Sequence, residues 1–177
     1  VFTWKRYEHL KKTLESLKNN YLATESDLFV CSNAPISEDD YDCVDKIRTY
    51  VPSLEGFKSV TLICNEVNKG YTETLLKNVN RILDKYGKII VLEEDMETTP
   101  NFLDFMNQAL DYYEPYENIQ QIGGYAIPVK IKDVYDNCFI PRSCAWSWAT
   151  WRKKWITINF TPSNRELQKI NIRKFSR

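Results

Sequence analysis

The chain predicts an α/β fold, a mainly parallel sheet flanked by helices, on three observations. Short apolar runs alternate with longer amphipathic segments, which is the pattern of βαβ units with right-handed crossovers. The apolar run Lys88-Ile89-Ile90-Val91-Leu92 ends in three consecutive carboxylates, Glu93-Glu94-Asp95, at the kind of strand end where an open α/β sheet forms its ligand crevice. A length of 177 residues with 43% hydrophobic side chains supports one sizeable core, so a single domain over 1–177 is expected.

Each element has its own signal. Val1-Phe2 starts the chain inside a strand and without a methionine, so a longer natural N-terminus is expected. Tyr7 to Asn19 carries Leu10, Leu14 and Leu17 at helical spacing among lysines and glutamates. Asp27 to Ser32 is a short apolar run closed by the turn residues Asn33-Ala34-Pro35. Ser37 with Asp40 three positions on resembles a capping box for a helix reaching about Val51, and Val60 to Cys64 gives the next strand. After the break at Asn68-Lys69-Gly70, the residues Leu75, Leu76, Val79, Ile82, Leu83 and Tyr86 make the clearest amphipathic helix, from Thr72, with Gly87 placed as its C-terminal cap. The strand 88–92 and the acidic turn follow. Thr99-Pro100 reads as N-cap and first helical position of a helix through Phe102, Phe105, Met106, Ala109, Leu110 and Tyr113, and Ile119 to Tyr125 reads as one more strand. The last third changes character, with Pro128, Pro141 and Pro162 interrupting β-prone pieces and Trp146, Trp148, Trp151 and Trp155 crowded together.

Composition excludes several classes. Twenty-four basic and 24 acidic residues leave a formal charge of zero, so no long-range field recruits nucleic acid or an anionic membrane, and no nucleic-acid partner is expected. No run approaches the roughly 20 apolar residues of a membrane span, so any membrane association is expected to be peripheral. The five cysteines contain no Cys-x-x-Cys pair and the one histidine is His9, a set that suits reduced thiols in a cytoplasmic setting and not a structural zinc.

The acidic triplet admits two readings: a solvated turn, or a site for a hard cation that joins carboxylates which otherwise repel one another. Magnesium or manganese commonly takes one or two protein carboxylates together with phosphate oxygens, and Glu-x-Asp suits that requirement. Bland roles exist for the other marked residues. Arg6 suits a surface charge, and Asn33 and Asn68-Lys69-Gly70 suit ordinary turns. Trp148, Trp151 and Trp155 fit a helical core stripe, whereas Trp146 and Trp148 alternate as on a strand and leave one ring to stack on a sugar. Lys130, Lys132, Arg152, Lys153 and Lys154 read as a solvated basic face.

Ile89 to Met96, followed by Thr99-Pro100-Asn101-Phe102, resembles the Asp-x-Asp strand end of A-type-fold (GT-A) glycosyltransferases, closest to bacterial family 2 enzymes and to N-acetylglucosaminyltransferases whose variant reads Glu-Asp-Asp. Phe2-Thr3-Trp4-Lys5-Arg6 is similar to the family's first strand and donor loop, and Ser32-Asn33-Ala34-Pro35 stands where a Ser-Asp-Gly-Pro turn occurs. Asn68-Lys69-Gly70 resembles the Asn-x-Gly turn before the next helix, and Pro141 to Trp151 is similar to a Trp-Gly-Trp-Ala-Thr-Trp segment.

The resemblance implies a Rossmann-like GT-A sheet with a nucleotide-sugar-binding half at 1–100 and a truncated acceptor-side half at 101–177. It implies Mn2+ or Mg2+ held by Asp95 with Glu93. Donor contacts would come from Thr3, Arg6, Asn33, Asn68, Lys69, Gly70, Glu93 and Glu94, and acceptor contacts from Trp146 and Trp148. The implied donor is a nucleotide sugar, first of all a UDP-sugar. The acceptor would be a saccharide or lipid-linked hydroxyl, in bacterial surface polysaccharide or glycolipid synthesis at the inner face of the membrane. Two departures stand out: Asn33 where aspartate is usual, and Ser147 where glycine is usual. No residue stands out as the general base, since Glu166 is the one carboxylate beyond the tryptophans. Rival readings are a sugar nucleotidyltransferase, against which the glycine-free Thr3 to Arg6 speaks, and a non-catalytic carbohydrate-binding module.

Overall fold

A computed structural model describes residues 1–125, 138–164 and 166. Among these described residues six strands and five α-helices follow in chain order: β1 (Phe2–Thr3), α1 (Tyr7–Lys18), β2 (Asp27–Ser32), α2 (Tyr41–Tyr50), β3 (Ser59–Cys64), α3 (Gly70–Tyr86), β4 (Lys88–Val91), α4 (Phe102–Tyr113), β5 (Ile122–Gly123), β6 (Trp148–Trp151) and α5 (Arg152–Trp155). The fold is mixed α/β.

The strands β1, β2 and β3 pair in parallel, with Phe2 opposite Cys31 and Asp27 to Ser32 opposite Ser59 to Cys64. A second sheet places β6 between β4 and β5, antiparallel to both. The two meet where the Phe2 amide donates to the Leu92 carbonyl at 3.0 Å and Phe2 bridges Glu93 in parallel. Read through that junction the order is β3-β2-β1-β4-β6-β5, so the chain winds outward in one direction as far as β3 and then resumes at β4 on the other side of β1. The expectation of a mainly parallel sheet holds for β1 to β4 and is corrected beyond them, because the tryptophan-rich segment returns antiparallel against β4.

Alternation along the strands sends side chains to two cores. Leu28, Val30, Leu92, Ala149 and Trp151 pack with Leu10, Leu14 and Leu17 of α1, Ile47 of α2 and Leu103, Met106 and Leu110 of α4. Phe2, Cys31, Val91 and Trp148 pack on the opposite face with Val79 and Leu83 of α3 and Trp155 of α5. A fully buried leucine such as Leu10 or Leu14 contributes about 1.5–3 kcal/mol, so the spacing that marked α1 is also what fastens it to the sheet.

Several boundaries differ from expectation. The Ser37–Asp40 capping box forms, but it caps a single 3₁₀ turn that leads into α2 instead of opening one long helix. Helix α3 starts at Gly70, and Gly87 ends it in the left-handed conformation, φ 76°. Thr99 and Pro100 stand outside α4, whose N-cap is Asn101; the α4 amide of Leu103 is instead capped by Asn20 Oδ1 at 2.9 Å, from the end of α1. The strand expected over Ile119 to Tyr125 shrinks to two residues. Trp148 and Trp151 lie on a strand, which corrects the helical-stripe reading. Lys154 is buried and not part of a solvated face: its ammonium sits 3.7 Å from the Trp151 ring centroid and donates to the carbonyls of Tyr113 and Tyr116 at the end of α4. Lys130 and Lys132 lie outside the described residues. All five cysteines are free.

Candidate functional site

The parallel strands deliver their carboxyl ends to one edge of the sheet, and the order of strands reverses between β1 and β4, where crevices of such sheets form. A pocket of about 660 Å³ opens there, walled by Thr3 at the end of β1 with Trp4 and Arg6 after it, Asn33 after β2, Asn68 just before α3 with Gly70 and Tyr71 in its first turn, and Glu93 and Glu94 after β4.

Glu94 is buried and fully engaged. Its Oε2 accepts from the Thr3 hydroxyl and from the Trp4 amide at 2.8 Å, and its Oε1 accepts from Arg6 Nε at 2.6 Å. The Glu94 carbonyl also accepts from the Thr13 hydroxyl at 2.8 Å. Arg6 reaches on to Asp95 Oδ2 at 2.9 Å, and the hydrogen bond with Glu94 leads the effects that raise the guanidinium pKa. The cation that reconciles these adjacent carboxylates is therefore in the first place a guanidinium from the end of β1. Its fork suits two acids at once. Three carboxylates against one guanidinium still leave the turn negative, since the neighbouring Lys5 is taken by Asp40 at 2.8 Å.

Glu93 points elsewhere: its Oε1 accepts from the Tyr71 hydroxyl at 2.8 Å. Burial first, then that bond, pushes the Tyr71 phenol above its ordinary pKa.

The other wall is a bed of amides. Asn33 Oδ1 accepts from Asn65 Nδ2 and from the Ala34 amide, each at 3.0 Å, and Asn33 Nδ2 donates to Asn68 Oδ1 at 3.1 Å. Asn68 Nδ2 donates to the Ala34 carbonyl at 2.7 Å, and Asn65 Nδ2 also donates to Thr74 Oγ1 at 2.8 Å. Arg48 holds this bed from beneath through the Asn65 carbonyl at 2.8 Å. A neutral amide at 33 fits here, because an aspartate could not donate to Asn68.

The structure thus gathers Thr3, Arg6, Asn33, Asn68, Gly70, Glu93 and Glu94 around one pocket. Asp95 stands at its margin, tied in through Arg6. Lys69 instead pairs along α3 with Glu73 at 3.0 Å. Trp146 is 50% exposed and packs edge-on to Tyr125, while Trp148 is 7% exposed and stacks on Trp155 in the second core. Sequence reasoning missed Asn65, Tyr71 and Thr74, and carried Trp4 only as part of the donor-loop segment Phe2 to Arg6. Tyr71 could have been found, since it follows the Asn68-Lys69-Gly70 turn directly; Asn65 and Thr74 carry no comparable signal.

Among the described residues no group of three or more histidine, cysteine or acidic side chains is arranged to hold a metal ion. Glu93 and Asp95 fit a more modest role, one or two carboxylates completing a coordination sphere otherwise made of phosphate and water oxygens. Each has one oxygen in a described hydrogen bond, to Tyr71 and to Arg6 respectively. Comparison with protein-family models and with curated proteins gives no match to this chain. No helix among the described residues is long and apolar enough to cross a membrane.

Proposed function

We propose that the pocket binds a nucleotide-diphosphate sugar and that the protein is a metal-dependent glycosyltransferase of the GT-A type. The observation that carries this reading is the pocket of about 660 Å³ at the reversal of strand order, with an amide bed on one wall and a carboxylate–guanidinium cluster on the other. The amides of Asn33 and Asn68 suit the hydrogen-bonding edge of a base or ribose, and Arg6 suits phosphate. A bound Mn2+ or Mg2+ at Asp95 and Glu93 would neutralise charge on the departing diphosphate.

In an in-line displacement the acceptor oxygen bonds to the anomeric carbon, the nucleoside diphosphate leaves with the bonding pair, and the hydroxyl proton passes to a base. Glu94 is excluded as that base by its three bonds to Thr3, Trp4 and Arg6. Glu166 is exposed, accepts from Ser163 and is not a pocket residue. The reading therefore assigns donor binding to residues 1–100 and Trp146 to the acceptor side, and it assigns no base.

Titration calorimetry of a panel of nucleotide sugars tests it. Binding of a UDP-sugar is expected to tighten at least tenfold with manganese, about 1.4 kcal/mol, and Asp95→Ala is expected to remove that gain. Equal affinity with and without manganese, or an unchanged gain in the variant, overturns the reading.

A further inference from the structure

The amide bed of the pocket spends its hydrogen-bonding groups unevenly. Asn33 Oδ1 accepts twice, from Asn65 Nδ2 and from the Ala34 amide, each at 3.0 Å. Asn68 Oδ1 also accepts twice, from Asn33 Nδ2 at 3.1 Å and from the Gly70 amide at 2.9 Å. The Ala34 carbonyl accepts from Asn68 Nδ2 at 2.7 Å and from Trp4 Nε1 at 3.0 Å. A carbonyl oxygen has two lone pairs, so these three oxygens are saturated. The nitrogens are not. Asn33 Nδ2 and Asn68 Nδ2 each carry two hydrogens and give one, to Asn68 and to Ala34, so each keeps one amide hydrogen with no partner among the described residues. Asn65 gives both of its hydrogens, to Asn33 and to Thr74, and does not wall the pocket.

Main-chain groups of fixed polarity set the orientation of both amides. Turning Asn33 over would place its nitrogen against the Ala34 N–H, donor to donor. Turning Asn68 over would place its nitrogen against the Gly70 N–H and its oxygen against the Ala34 carbonyl. Asn33 is 7% exposed, so it cannot offer a lone pair to the pocket without leaving buried donors of Ala34 and Asn65 unpaired. The carboxylates, which can accept, belong to the opposite wall, where Glu94 is already taken by Thr3, Trp4 and Arg6.

We propose that this wall offers the pocket donors alone, the free Nδ2 hydrogens of Asn33 and Asn68, and that it selects a nucleobase by an edge with two neighbouring acceptors: cytosine through N3 and O2, or guanine through N7 and O6. The inference rests on the reading of the pocket as a nucleotide site. Uracil sets an N–H between its two carbonyls, and adenine sets an amino group beside N7, so each brings a donor against a wall whose lone pairs are spent. A donor that leaves water and finds no acceptor is costly, and a site built to hydrogen-bond one edge rejects by that cost the base that lacks it. The favoured donor therefore differs from the UDP-sugar that the resemblance implies.

Titration calorimetry of the full chain with CDP, UDP, GDP and ADP, each in manganese, tests this. CDP and UDP share ribose and diphosphate, as do GDP and ADP, so the ratio within each pair reports the base edge alone. CDP is expected to bind about tenfold or more tighter than UDP, or GDP about tenfold or more tighter than ADP, and the pair that shows the preference identifies the base the pocket accommodates. Asn33→Asp puts a lone pair where the free hydrogen was and is expected to lower that ratio by about tenfold. Ratios within about threefold of unity in both pairs, or a preference for UDP or ADP, overturn the proposal, and so does an unchanged ratio in Asn33→Asp. The ratios of the unaltered chain decide even where the variant does not fold. Tight but indiscriminate binding overturns this inference alone, whereas absence of binding by all four nucleotides overturns the nucleotide reading with it. The manganese gain is a ratio within one donor and is independent of the base preference.

Discussion

Ser147 is buried at φ 47°, the one non-glycine residue with positive φ among the described residues, and its carbonyl accepts from the Gly124 amide at 2.9 Å. A side chain in the left-handed region costs about 1–2 kcal/mol, so Ser147→Gly is expected to stabilise the protein by about 1 kcal/mol in urea unfolding; a destabilised variant would show that the hydroxyl contributes more than the backbone loses. Gly124 is the complementary case, where an added Cβ would meet the Phe102 ring and Ser147 Oγ at 2.5 Å. The acidic triplet separates at the same scale. Glu94→Ala strands Thr3, Trp4 and Arg6 without their acceptor and is expected to cost about 3 kcal/mol. Asp95→Ala, at a half-exposed ion pair, should change stability by less than about 1 kcal/mol, measured in the same unfolding series. The triplet was legible as an acidic cluster at a strand end, but its division of labour was not. Three acids look alike in sequence, and what distinguishes Glu94 is a hydroxyl, an amide and a guanidinium from residues 88 to 91 positions away.

Elements were legible where a local period fixed them. The spans of β2 and α1 and the end of α3 follow from a short apolar run, from helical spacing and from Gly87, all within one element's reach. The start of α4 was misread because its cap arrives from Asn20, 83 residues earlier, and no local signal announces it. The tryptophan-rich segment was ambiguous because Trp148, Trp151 and Trp155 satisfy a helical spacing, while a strand followed by one helical turn places Trp148 and Trp155 against each other just as well. The turn before α2 carries its own expectation. Lys5 first, then the Ile36 and Ser37 amides, hold the Asp40 carboxyl at about 2, below the ordinary carboxylate range. A lowered folded pKa gives stability that is fully present above roughly pH 4 and is lost as the pH falls through about 2. Asp40→Asn should therefore be less stable at neutral pH and lose less on acidification; parallel curves for the two proteins between pH 5 and 2 would show that the turn does not carry this dependence.

At the scale of the molecule, the α/β class was readable from alternation alone, but the antiparallel return of β6 was not, since pairing direction depends on a connection between β5 and β6 that carries no helical period. The candidate site is assembled from β1, β2, α3 and the end of β4, and no contiguous stretch could hold it. Two three-stranded sheets meet along β1 and β4, and Glu94 makes most of the side-chain bonds across the junction, with Asp95 adding one to Arg6. That seam is expected to act as a plane of separable cooperativity once Glu94 is removed. Units joined by few bonds open independently once those bonds are removed. In Glu94→Ala, exchange protection is expected to fall unevenly, with β4-β6-β5 and β3-β2-β1 reporting different opening free energies by hydrogen-exchange mass spectrometry, whereas the unaltered chain reports one. A single shared opening energy in the variant would mean that the helical layers, and not the carboxylate, bind the halves together. Because the groups that bridge the seam also wall the pocket, a ligand that bonds to both walls is expected to fasten the two sheets together, so that occupancy of the site would raise the cooperativity with which the chain unfolds.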